Sequence, residues 1–206
     1  MKSKKGLLCI VIGLLLIVAA LSLAFYNIWD SERAEKAALN TVAEIEKVIP
    51  DNPENSNSEI SPVDYPDMKM PVTEVDGYEY IGILEIPEFN LKLPVMQDWD
   101  YTKLDISPCC YYGSVYKDDL VIAAHNYYSH FGGLGQLTIG SEIIFTDIYG
   151  YKYNYNVIWT EVIQPGSIDQ MIEEKNDDPW DLTLFTCTIS GGSRFTVRCA
   201  KSNDNT

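Results

Sequence analysis

An uncharged apolar run from Gly6 to Tyr26 constrains this chain more than any other feature, because it is long enough to cross a bilayer as a helix of roughly 20 residues. Lys2, Lys4 and Lys5 precede it, and Asp30 and Glu32 follow. That asymmetry predicts an N-terminus on the cytoplasmic side and everything else outside the plasma membrane, a single-pass arrangement. A cleaved signal peptide has a shorter apolar core followed by small residues, whereas Phe25 and Tyr26 are bulky, so the run reads as an uncleaved anchor.

Residues 1–29 are therefore expected to form a cytoplasmic tip and membrane anchor. Residues 30–71 read as a juxtamembrane helix and flexible linker. From Ser31 to Val48, Ala34, Ala37, Ala38, Val42, Ala43, Ile45 and Val48 recur among charges, which predicts an amphipathic helix ended by Pro50 and solvated as a stalk. From Asp51 to Met70 the composition shifts to Pro, Asn, Ser, Asp and Glu (DNPENSNSEISPVDYPDM), which cannot bury a core and reads as the linker.

Residues 72–206 are expected to fold. Strand-like runs recur at Tyr80–Ile86, Leu91–Val95, Leu120–Ala124, Glu142–Thr146, Lys152–Trp159, Leu182–Thr186 and Arg194–Cys199, separated by Gly, Pro and Asp turns. They predict an all-β domain, a barrel or a sandwich. In YKYNYNVIW, Tyr151, Tyr153, Tyr155, Val157 and Trp159 alternate with polar residues and are expected to share one core-facing side. Helical segments are short, around Phe131–Leu137 and Ile168–Glu174, which disfavours a parallel α/β sheet.

The formal charge of −15 excludes nucleic acid as a partner, since phosphate binding needs clustered Lys and Arg. Five cysteines lack the paired spacing of a zinc site, and with two histidines no structural metal is expected. Calcium is not indicated, nor is any other cofactor.

The segment LTLFTCTISGGSRFTVRC reads as a hairpin that brings Cys187 across from Arg194. A thiol reacts as thiolate, so it needs a cation or base nearby and some exposure. Arg198 lies on the same face but roughly 13 Å further along the strand, and is the weaker candidate. His125 ends the apolar run LVIAA, beside Asn126, while His130 sits in the following loop. A strand-end histidine can exchange a proton with a strand-end cysteine, and Arg194 can hold the oxyanion of a tetrahedral intermediate.

Thr183-Leu184-Phe185-Thr186-Cys187 resembles the TLxTC signature of the sortase family, with an arginine after a short loop. The segment from Ile122 to Phe145 resembles the family's histidine region, and Gly82-Ile83-Leu84-Glu85-Ile86-Pro87 its opening strands, so the likeness spans about Tyr80 to Lys201. The resemblance implies a closed eight-stranded β-barrel that cleaves an LPxTG-like C-terminal sorting motif of secreted proteins between Thr and Gly. A thioacyl intermediate is then resolved by an amine of cell-wall precursor or of a pilin. It places the family's cysteine, histidine and arginine on Cys187, His125 and Arg194, with Thr186, Thr183 and Asn126 expected to touch substrate.

Two features depart from the pattern: Ala124 stands where a glycine commonly precedes the histidine, and Cys109-Cys110 belongs to no family motif and is read as packing. The segment between Thr160 and Leu182 is too short for the inserted helix of class B enzymes, and Asp178-Pro179-Trp180 reads as a turn. A papain-type hydrolytic protease fits the residue order poorly. A non-catalytic surface module that binds peptides remains the alternative from another class.

Overall fold

A computed structural model describes residues 4–50, 68–172, 180–188 and 191–202. A 43-residue helix, α1 (Lys4–Glu46), opens the chain. Nine strands follow: β1 (Thr73–Val75), β2 (Tyr78–Ile86), β3 (Leu91–Met96), β4 (Cys109–Tyr112), β5 (Leu120–Ala123), β6 (Glu142–Asp147), β7 (Lys152–Ile163), β8 (Leu182–Cys187) and β9 (Arg194–Lys201). A one-turn helix, α2 (Tyr101–Leu104), precedes β4; Asp100 caps it, its carboxylate accepting from the Thr102 and Lys103 amides.

The sheet order β2-β3-β4-β5-β8-β9-β7-β6 returns to β2, so these eight strands close a barrel, and β1 adds to the free edge of β2. Closure needs Gly82. There β2 changes register and passes from β1 to β6, and a Cβ would lie 2.2 Å from the Thr146 carbonyl oxygen. Leu84, Val95, Ile122, Phe145, Tyr155, Leu184, Val197 and Cys199 fill the barrel interior.

All seven expected strands are present. β1 and β4 escape the sequence reading because they are three and four residues long, too short to show a period. Cys109 and Cys110 lie on β4, both buried, as packing requires. The expected core face of β7 holds for Tyr155 and Val157 but not for Trp159. A bulge between Val157 and Trp159 shifts the register so that Val157 faces Cys199 and Trp159 faces Arg198, which lies on the opposite side of β9. The indole then packs edge-on against Trp180 outside the barrel, at 5.6 Å and 89°.

The expected helices shrink to 3-10 turns at Leu134–Gln136 and Pro165–Met171. The linker at 51–67 and the Asp178-Pro179 part of the expected turn lie outside the described residues, while Met68 and Met70 pack on the barrel.

The solvated stalk is corrected. Anchor and juxtamembrane segment form one helix, and Ala34, Ala38, Val42 and Ile45 are buried on its lower half. Val42 and Ile45 join Tyr80, Ile83 and Met96 in a second apolar cluster outside the barrel. Lys92 on β3 pairs with Glu46 at 2.6 Å and with Glu85 at 3.5 Å, fixing the helix end to the sheet. In contrast, Leu7 to Trp29 project their apolar side chains outward, and the helix is long and apolar enough to cross a membrane.

Candidate active site

Strands β5, β8 and β9 lie side by side. β5 and β8 run parallel with Ala123 opposite Phe185, and the Ala124 amide donates to the Phe185 carbonyl at 3.2 Å. Continuing that register by two residues puts His125 beside Cys187. On the other edge Cys187 is the register partner of Arg194. The three residues named from the sequence therefore occupy neighbouring positions at one end of three adjacent strands, about 4.8 Å apart from strand to strand.

Cys187 is the last residue of β8 and is half-buried. All five cysteines are free thiols. Burial pushes the Cys109 and Cys110 thiols up to about 12 and raises that of Cys199 further. These three are protonated and inert. Within the barrel, Cys187 is the cysteine with access to solvent.

His125 follows β5 directly. Its Nε2 lies 2.9 Å from Asp105 Oδ1, and its ring packs against Tyr127 at 5.1 Å. Asp105 comes from the turn after α2, and sequence reasoning missed it because nothing in the intervening residues signals that this turn reaches the end of β5. The loop after His125 is tightly tied: Phe131 donates to the His125 carbonyl, and His130 and Gly132 donate to that of Tyr127. His130 itself is 1% exposed, with neither ring nitrogen hydrogen-bonded. Burial, reinforced by His125, lowers its pKa to about 4. It is not a second proton carrier facing the cysteine.

Arg194 opens β9, and its Nη1 donates to the Gly191 and Ser193 carbonyls at 3.4 and 3.3 Å, which holds its head beside the β8–β9 turn. Arg198 has another job. It is fully buried, donates from Nε to Glu161 and from Nη1 to Thr183 Oγ1 and the Met171 carbonyl, and stacks 3.8 Å over Trp180. Its Nη2 donates to the Gln170 carbonyl. The arginine read as the weaker candidate is thus a structural clamp.

The three expected substrate contacts separate. Thr186 is buried and its hydroxyl donates to the Ala124 carbonyl at 2.8 Å, which locks the His125 strand to the Cys187 strand. Thr183 is completely buried, and its hydroxyl accepts from Arg198 Nη1. Asn126 is exposed, lining a cavity between α1 and the His125 loop. On the face that carries Cys187, Phe185 packs edge-on against Tyr111 at 5.2 Å, and Tyr111 against Trp99 at 5.2 Å. This aromatic wall was not foreseen, because Trp99 and Tyr111 reach β8 only through the fold. Among the described residues no group of His, Cys, Asp and Glu converges as a metal site would.

A family model described as Sortase domain matches residues 84–202. Sortase C1 of Streptococcus suis is 26% identical, with a TM-score of 0.52 over 61% of this chain and 74% of that one. The Clostridium perfringens sortase C solved with the C-terminal cell wall sorting motif is 19% identical, with a TM-score of 0.61 over 81% and 100%. A Clostridium perfringens sortase D5 transpeptidase is 16% identical, with a TM-score of 0.60 over 82% and 99%. No curated protein matches the chain. The last two structures speak for the fold alone, but the Sortase domain match runs from β2 to the end of β9, more than half of the sequence, and so this chain belongs to the sortase family of cysteine transpeptidases.

Proposed function

We propose that this protein cleaves an LPxTG-like sorting motif at its Thr–Gly bond and passes the acyl group to an amine of cell-wall precursor or of a pilin. Cys187 Sγ attacks the scissile carbonyl. Asp105 occupies His125 Nε2, so Nδ1 is the nitrogen that exchanges a proton with the thiol and then protonates the leaving amine. Arg194 holds the charge that develops on the carbonyl oxygen. The resulting thioester on Cys187 is attacked by the acceptor amine, whose proton returns to His125.

The observation that carries this reading is the shared register of β5, β8 and β9, which aligns His125, Cys187 and Arg194. The aromatic wall of Phe185, Tyr111 and Trp99 supports an apolar, proline-containing segment as the ligand upstream of the cut. The Clostridium perfringens sortase C solved with its sorting motif supports the same class of ligand. Lys2, Lys4 and Lys5 ahead of the apolar run and the acids after it support an extracytoplasmic barrel.

The test uses the chain from Asp30 onward with a library of quenched sorting pentapeptides and an amine acceptor, read by mass spectrometry beside Cys187→Ala. An acyl adduct on Cys187 and an amine-joined product are expected from the native protein alone. No adduct from any peptide, on a folded protein with a free Cys187 thiol, overturns the reading in favour of a peptide-binding module.

A further inference from the structure

α1 is a single helix that carries both the apolar run and the residues packed on the barrel. Its continuous run of outward-facing apolar side chains ends at Trp29, with Tyr26 packed 6.3 Å from that indole, the amphipathic pairing common at a bilayer interface. The same unbroken helix then enters the barrel packing at Ala34, only about 7 Å further along its axis at 1.5 Å per residue. No flexible segment separates the two halves.

The part of the barrel that meets α1 at this level is the loop following His125. Ser31 Oγ lies 3.3 Å from Ser129 Oγ, and the Tyr127 hydroxyl hydrogen-bonds to the Asp30 carboxylate. Between helix and loop lies a cavity of about 540 Å³ lined by Ile28, Asp30, Ser31, Asn126, Tyr127 and Tyr128. Tyr128 is 86% exposed and lines this cavity together with Ile28 of the helix.

We infer that α1 holds the His125 end of the barrel over the lipid headgroups at a fixed height, with Tyr128 joining Tyr26 and Trp29 at the interface, so that the helix sets the reach a substrate needs between bilayer and thiol. Ser31 stands about 3 Å above Trp29 along the helix axis. At most four extended residues separate Ser129 from His125, and one strand spacing separates His125 from Cys187. The thiol thus lies within about 20 Å of the interface, a gap that roughly six extended residues of a substrate span.

This inference rests on the transpeptidase reading, and the experiment keeps the two apart. The full-length protein is reconstituted in phosphatidylcholine vesicles with substrates that carry a spacer of variable length between the cleavage motif and their own membrane-spanning segment. A second protein carries a seven-residue helical insert between Trp29 and Asp30, about two turns, which keeps the faces of α1 in phase and raises the barrel by about 10 Å. The native protein is expected to need a minimum spacer of no more than about six residues, and the insertion to lengthen that minimum by about three. Both proteins are expected to turn over a free peptide equally, which also shows that the insert leaves the fold intact. An unchanged minimum spacer, or cleavage indifferent to spacer length, overturns the fixed-height arrangement. Failure of the native protein on free peptide instead removes the transpeptidase reading.

Discussion

His130 offers a test of how burial couples to the loop that follows His125. Its ring is 1% exposed, lies 5.5 Å from Tyr127, which in turn stacks on His125, and has no hydrogen-bond partner on either nitrogen. Its pKa falls from 6.5 to about 4 in the folded protein. Between these values the unfolded chain binds a proton that the native state refuses, so His130 leaves stability intact above pH 6.5 and removes it as pH falls towards 4. At about 1.4 kcal/mol per pKa unit the loss approaches about 3 kcal/mol at pH 4, and is about 2 kcal/mol at pH 5.

His130→Phe replaces the ring with one that cannot titrate. Asp147, whose carboxyl burial raises, acts in the opposite direction but is common to both proteins and cancels in the comparison. Denaturant unfolding of the chain from Asp30 onward, followed by fluorescence between pH 7.5 and 4.5, is expected to show a constant difference above about pH 6.5 and, below it, the variant gaining on the native protein by roughly one proton's slope, about 1.4 kcal/mol per pH unit. Two curves that stay parallel through this range refute the reasoning.

Three further outcomes are expected. Asp105→Asn keeps a hydrogen bond to His125 but removes the charge and the fixed tautomer; because Asp105 is more than half exposed, turnover of a sorting peptide falls by only about tenfold, with thermal stability unchanged. Arg194→Ala is expected to fold normally and lose about 10²–10³ in kcat by stopped assay, whereas Arg198→Ala removes the buried guanidinium that donates to Glu161, Thr183 and the Met171 and Gln170 carbonyls and lowers stability by about 3–5 kcal/mol in denaturant unfolding. A fragment starting at Val72 uncovers the surface that Val42 and Ile45 bury, at about 1.5–3 kcal/mol for each; calorimetry is expected to show it melting well below the chain from Asp30, and equal melting temperatures refute the packed role of α1.

The strands, the hairpin and its three chemical residues were legible in the sequence because each rests on a local signal. Alternation marks a strand, Gly191-Gly192 marks a turn, and Cys187 and Arg194 then fall opposite each other by counting. His125 needed one further step, a strand end, and the parallel pairing of β5 with β8 supplied the rest. Burial was not legible. Thr183 and Thr186 share one motif, yet one holds Arg198 and the other bridges to Ala124, because alternate residues of β8 meet different neighbours.

Long-range placement belonged to the tertiary structure. A one-residue bulge in β7 sent Trp159 out of the core, and Asp105 met His125 across the fold. The amphipathic pattern after Ser31 showed that one side of α1 is apolar, but an apolar side can meet water, lipid or protein. Sequence periodicity fixes only which residues share a face; what covers that face depends on segments far apart in the chain, and here it was β2 and β3 that made the anchor part of the domain.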